Sequence, residues 1–324
     1  MPYSFLFRIL VPLMLLVTSI PAKAADWPSR TVKIIVPFGP GGNADLMARL
    51  LADHLSEEFK QQFIVESRPG ASGAIGMQAV VSSPPDGYTF LLGTVSILTL
   101  LPAINPKIGY DALRDLTNIA YIAGSPAVLA VTPSSGFAKL NEFVTQARAS
   151  KAPFTFSTTG VGSDGHMLGL AFAQSAKINV EHIPYKGAQQ GLTDLLGGHV
   201  KFSTYTLASS SSYLSNKSLI GLAVTSAERL PDYATIPTFK ELGYPDMVST
   251  TWFSFSGPAN LPKDIAEKIN KSLIAFLERP NVKQKLQKDG LITQPMTVSE
   301  FNSFLAKETA RWKVIIENAG LVQK

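Results

Sequence analysis

The sequence predicts an α/β protein in two lobes, each built on a mostly parallel or mixed sheet flanked by helices, and three observations carry that prediction. The chain has 324 residues, beyond the size at which a single hydrophobic core usually stops growing. Short β-branched runs alternate with stretches of helical periodicity, the pattern of parallel strands covered by helices. The C-terminal stretch is almost wholly helical, and helices without strands of their own must cover an existing sheet. That stretch is therefore expected to return to the first lobe, so that the chain crosses between lobes twice.

In order, Met1 to Ala24 carry one early cation, Arg8, then an apolar run from Ile9 to Ile20, then Ala22-Lys23-Ala24. This is the order of a secretory signal with a small-residue cleavage site, and the run is short for a bilayer span. Cleavage is expected after Ala24. Val32 to Val36 reads as a strand, followed by the turn Pro37-Phe38-Gly39-Pro40-Gly41-Gly42 and a helix. In that helix Leu46, Met47, Leu50, Leu51, Leu55 and Phe59 share one face, with Asp45, Arg49, Asp53 and Glu57 opposite. A strand at Phe63 to Val65, a Gly-rich helix start at Gly70 to Gly76 and a strand at Tyr88 to Leu92 continue the alternation.

A second round has strands at Val128 to Val131, Phe154 to Ser157, Val180 to Pro184, Val200 to Thr204 and Leu219 to Val224. Helices fall between them at Leu140 to Ala149, Ser163 to Lys177 and Ala188 to Leu196, and the serine run Ser209 to Ser212 begins a short helix. After a strand at Phe253 to Ser256, helices are expected at Lys263 to Leu277, Val282 to Lys288 and Val298 to Asn318.

Composition excludes several function classes. With 45% hydrophobic and 16% charged residues, the chain is too apolar for a disordered protein. The absence of cysteine excludes a disulfide scaffold, a thiolate metal site, a cysteine nucleophile and a lipid-modified N-terminal cysteine. Removing Arg8 and Lys23 with the signal takes the formal charge from +5 to +3. The densest basic stretch, Lys283 to Lys288, is a solvated helix face without stacking aromatics, so no nucleic-acid surface is expected.

Two glycine loops are the most informative motifs. Gly39-Pro40-Gly41-Gly42-Asn43-Ala44 fits GxGxxA between a strand and a helix, with Glu66 ending the next strand. Gly160-Val161-Gly162-Ser163-Asp164-Gly165 fits GxGxxG in the same setting. Each places backbone N–H groups and a helix N-terminus at one point, a candidate anion site. A dinucleotide is disfavoured: Pro40 removes a donor where a pyrophosphate needs one, Glu181 lies near the start of its strand rather than its end, and an exported protein meets little such cofactor. No cofactor is expected.

Catalytic constellations are scarce. The four histidines, His54, His166, His182 and His199, are not spaced as helix-borne metal ligands, and no metal is expected. His54 reads as a boundary residue of the first helix. His166 either points at the second loop or packs and caps there. Ser163 misses the GxSxG elbow because Val161 stands where glycine is required, yet Ser163 with His166 leaves a secreted hydrolase as an alternative. Asp45 reads as a helix cap or dipole partner, or as a direct ligand contact.

Trp27-Pro28-Ser29-Arg30 leading into Ile34-Ile35-Val36-Pro37-Phe38-Gly39-Pro40-Gly41-Gly42 with Asp45, then Glu66-Ser67-Arg68-Pro69-Gly70-Ala71 and Pro85-Asp86-Gly87-Tyr88-Thr89, resembles the Bug/TctC family. Pro184-Tyr185-Lys186-Gly187, Leu192-Thr193-Asp194-Leu195-Leu196-Gly197-Gly198 and Ala223-Val224-Thr225-Ser226 with Arg229 continue the resemblance across the mature chain. These are periplasmic solute receptors of tripartite tricarboxylate transporters. The resemblance implies a type II-like periplasmic-binding-protein fold with a cleft between lobes: 25–126 with 250–324 as lobe 1, and 127–249 as lobe 2. It implies a small carboxylate held by Phe38, Gly41, Gly42 and Asn43, with Asp45 fastening the helix start, and by Thr159, Gly160, Gly162 and Ser163, with Thr94 and Ser96 offering hydroxyls. Its implied partners are the ligand and the membrane permease subunits, with the receptor itself a monomer. A sensory module that hands its carboxylate signal to another partner remains the further alternative.

Departures from the family bear on specificity. Gly39 stands where proline or alanine is common, and Ala44 where a hydroxyl residue is frequent. The segment His199-Val200-Lys201-Phe202-Ser203-Thr204-Tyr205-Thr206 lacks the acids often found there. An acid would pair with a ligand amine, so an amine-free carboxylate, aromatic or dicarboxylic, is expected, with Tyr205 and Thr206 on the far side. Each lobe alone offers half a site, so the ligand favours the closed form.

Overall fold

In a computed structural model covering residues 27–318 and 321–323, the chain folds into two α/β lobes; the expected signal, 1–24, lies outside the described residues. The first lobe begins with β1 (Val32–Val36) and α1 (Asn43–Phe59). Val32, Ile34 and Val36 pack under α1 while Ile35 faces the other side of the sheet, the two-sided burial of an interior parallel strand. Then come β2 (Phe63–Ser67), α2 (Ala74–Val81), β3 (Thr89–Thr94), a π turn over Ser96–Leu100 running into α3 (Leu101–Ile104), and β4 (Leu116–Ser125).

The second lobe holds β5 (Ala127–Val131), α4 (Leu140–Ala149), β6 (Phe154–Thr158), α5 (Asp164–Ala176), β7 (Val180–Pro184), α6 (Ala188–Leu196), β8 (Phe202–Thr206), α7 (Leu207–Ser215) and β9 (Ile220–Val224). The chain ends with β10 (Thr251–Pro258), α8 (Lys263–Leu277), α9 (Pro280–Lys288) and α10 (Val298–Asn318).

The two sheets have strand orders β2-β1-β3-β10-β4 and β7-β6-β8-β5-β9. In each, three strands are parallel, β1 with β2 and β3, and β6 with β7 and β8. Each sheet also has one reversed strand. β10 is antiparallel to β3 and β4, and β5 is antiparallel to β8 and β9. The reversed strand is the one on which the chain arrives from the other lobe. α1 and α2 cover opposite faces of the first sheet, and α5 and α6 opposite faces of the second. The order therefore turns back between β1 and β3, and again between β6 and β8. Such switch points open a crevice beyond the strands' carboxyl ends, and here the two crevices face each other.

Two segments join the lobes. Pro126 alone separates β4 from β5. The return path is held to it by the buried Thr225, whose hydroxyl accepts from the Ala127 N–H at 2.8 Å and donates to the Ser249 carbonyl at 2.8 Å. One side chain thus ties both crossing strands together.

Three local readings change. β4 falls in a stretch for which no strand was expected; apart from Thr117 it is buried along its whole length, so it shows no alternation to read. The buried stripe of α1 centres on Met47, Ala48, Leu51 and Leu55, which leaves Leu46 59% exposed and turns Asp45 inward at 3%. His54 is not a boundary residue: it is buried, its ring stacks on Phe276 at 4.2 Å and its Nε2 meets the Ser272 hydroxyl at 2.9 Å. It joins α1 to α8.

Candidate functional site

The crevices of the two lobes form one pocket. Phe38, Gly42, Asn43 and Ala44 line it from the loop after β1 and the start of α1, and Thr94 and Ser96 from the end of β3. Thr251 and Phe253 contribute from β10. The second lobe supplies Thr159, Asp164 and Gly165 after β6, Gly187 and Ala188 after β7, and Thr204, Tyr205, Thr206 and Ser209 around the end of β8.

Four helices, α1, α5, α6 and α7, point their N-termini here, and their capping differs. Ser163 caps α5, its hydroxyl accepting from the His166 N–H at 3.2 Å, and Thr206 caps α7 by accepting from Ser209 at 3.1 Å. Gly42 and Gly187, the residues before α1 and α6, offer no side-chain cap. First-turn N–H groups of these two helices therefore face the pocket as free donors. Beside them, the buried Asn43 Nδ2 and Thr94 hydroxyl have no hydrogen-bond partner among the described residues, nor has the Tyr205 hydroxyl. Among the described residues no lysine, arginine or histidine lines the pocket. Its anion-attracting field comes from backbone and amide dipoles.

The glycine loop after β6 is placed differently from its expected role. The Gly160 N–H goes to the Thr158 hydroxyl, the Gly162 N–H to His166 Nδ1 at 3.1 Å, and the Ser163 N–H to the Gly160 carbonyl. Gly160, Gly162 and Ser163 lie behind the lining, as does Gly41, whose N–H goes to Asp45. Asp45 also holds Arg49 through both carboxylate oxygens, which makes it the fastener of the α1 start. Of the two loops, the one after β1 supplies free donors directly. Its counterpart in the second lobe is Gly187-Ala188, a glycine at a helix start after a strand, the same local signal as Gly42-Asn43.

His166 turns away from the pocket and stacks on His182, ring centroids 3.9 Å apart. The Ser163 hydroxyl meets the His166 backbone rather than its ring, so the nucleophile–base pair of a hydrolase is not formed. Accepting from Gly162 requires an unprotonated Nδ1, and burial pushes both histidines down from 6.5 to about 4. The unfolded chain then binds protons that the folded chain does not, so stability is full above about pH 6.5 and declines as pH falls toward 4. The urea midpoint is expected to drop across that window, and the drop should be smaller in His182→Gln. An unchanged drop in the variant would remove the pair as its source.

The lobes touch across the cleft. The Gly39 N–H donates to the Lys186 carbonyl at 3.0 Å, and the Asp164 N–H to the Ser96 hydroxyl at 3.2 Å. The Thr251 hydroxyl donates to Asp164 Oδ2. Asp164 was not singled out as a binding residue, nor were Gly187, Ala188, Ser209 and Thr251. Thr251 has no local signal, because it reaches the site from 87 residues further along the chain than Asp164.

Residues 47–321 match the tripartite tricarboxylate transporter family receptor. The chain is 31% identical over 301 residues to protein BugT of Bordetella pertussis, covering 93% of this chain and 92% of BugT. Its fold superposes with a TM-score of 0.88 on R. palustris Rpa4515 solved with adipate, at 32% identity over 91% of this chain and 99% of the other. The periplasmic binding protein BugD gives the same TM-score at 25% identity, covering 92% and 100%. A cleft built from two opposed crevices, with uncapped helix N-termini and, among the described residues, no cationic side chain, is thus found on a chain that belongs to the Bug/TctC family of periplasmic solute receptors.

Proposed function

We propose that this chain captures a small amine-free carboxylate outside the cytoplasm and delivers it to the membrane subunits of a tripartite tricarboxylate-type transporter. The observation that carries the reading is the convergence of the uncapped α1 and α6 with the unpartnered Asn43 amide and Thr94 hydroxyl in one pocket. Those groups suit a carboxylate that needs several N–H and O–H donors and no counter-ion. The adipate-bound relative supports a dicarboxylate over an aromatic acid. The pocket does hold one acid, Asp164, from a segment other than the one expected to lack them; burial raises its carboxyl above the ordinary range, which makes it a poorer partner for a ligand ammonium than a fully ionised acid.

Lobe 1 (25–126 and 250–324) and lobe 2 (127–249) close about Pro126 and the Ser249–Thr251 segment, with Thr225 as the clasp between them. Export by cleavage after Ala24 places the receptor in the periplasm, and Edman sequencing of the exported protein checks that site. Calorimetric titration with adipate, benzoate, aspartate and glutamate tests the ligand class. Adipate is expected to bind most tightly. Tighter binding of aspartate or glutamate would overturn the amine-free assignment.

A further inference from the structure

Asp164 is the one charged residue lining the pocket among the described residues, and it also borders a neighbouring cavity lined by Arg311 and Trp312. It opens α5, is 3% exposed, and belongs to the second lobe, yet the groups that hold it come from the first. Ser96 takes its N–H and Thr251 donates to its Oδ2. Its Oδ1 accepts no hydrogen bond among the described residues. Closure of the lobes therefore fixes this carboxyl at the pocket wall.

Its electrostatic surroundings are one-sided. From α10, Glu308 disfavours its ionisation, while Arg311 favours it but is hydrogen-bonded to Glu308 at 3.2 Å. From β10 and the β3 end only the hydroxyls of Thr251 and Ser96 face it, and on its own helix His166 is turned to His182. Burial outweighs the rest and raises the carboxyl above its ordinary range.

Building on the carboxylate-receptor reading, we propose that Asp164 recognises the second carboxylate of a dicarboxylate by sharing one proton with it. Two carboxylates in contact cannot both stay ionised in a buried site, and a shared proton turns their repulsion into a short, charge-assisted O–H···O bond. The first carboxylate meets the helix N-termini; the second has no cation to meet and finds a proton donor instead. Capture of a dianion then takes up as much as one proton from solvent. Affinity for the dianion rises as pH falls, by as much as about tenfold per unit. A monocarboxylate of the same length lacks this dependence.

The test is calorimetric titration with adipate and with hexanoate between pH 6 and 8, in buffers of different ionisation enthalpy. Expected are proton uptake approaching one for adipate and none for hexanoate. Asp164→Asn, which keeps a donor without a titrating proton, should flatten the adipate pH slope and narrow its preference over hexanoate. Adipate binding without proton uptake in the unaltered protein would overturn the proposal while leaving the carboxylate reading intact. Failure of both probes to bind would overturn both. Preference for an amino acid, lost in Asp164→Asn, would recast Asp164 as an ionised partner of an ammonium and also overturn it.

Discussion

Replacing Gly162 with valine is expected to weaken carboxylate binding about tenfold to a hundredfold, with both lobes still folded. Gly162 has φ +78°, and a Cβ there would lie 2.6 Å from Leu101 Cδ2 and 3.3 Å from Ile104 Cδ1, both on the opposite lobe. A branched side chain would act as a wedge that only the closed form feels. Overpacking of this kind costs about 1–3 kcal/mol, and apparent affinity falls with the fraction of receptor able to close. The strain of a positive φ is shared by open and closed forms, so Gly136→Val is the control: Gly136 has φ +79° and open space around it. Calorimetry should show weak binding for Gly162→Val and ordinary binding for Gly136→Val. Small-angle scattering should show a larger radius for the first on ligand addition. Unchanged affinity in Gly162→Val would mean that this contact does not limit closure.

The same substitution could be chosen from the sequence, but for another cause. A glycine-rich loop before a helix suggests backbone approach to an anion, whereas the structure gives the Gly162 N–H to His166 and its open side to Leu101. Local patterns carried most of the fold: β1, α1, β5 to β9 and the C-terminal helices have runs and periodicities that depend on their own residues. β4 was hidden because burial on both faces removes alternation. The reversed direction of β5 and β10 depends on how the chain arrives from the other lobe, which no window of residues records. At the site, Asn43 and Thr94 could be named from the resemblance to the Bug/TctC family, and Tyr205 from the segment that lacks the acids often found there. Asp164 and Thr251 carry no such signal, since their pairing exists only once the lobes meet.

Removing the unpartnered polar groups should separate binding from stability by sign. The Thr94 hydroxyl is buried at the end of β3, opposite Phe253 of β10, without a hydrogen-bond partner among the described residues. Such a group destabilises the fold by about 1–3 kcal/mol relative to an apolar isostere. Thr94→Val keeps the branched shape that suits a strand, so the melting temperature of the unliganded protein should rise by about 2 °C or more. A hydrogen bond from that hydroxyl to an ionised ligand contributes about 1.5–3 kcal/mol, so the same variant should lose about tenfold to a hundredfold in affinity. Asn43→Ala removes the neighbouring amide donor and should lose a similar factor, and the double variant more than either. A group kept only for packing would show the gain in stability with no loss of binding, and that result for Thr94 would remove it from the site. The opposite signs follow from one physical statement: a donor left without a partner in the folded protein is a liability that only the ligand relieves.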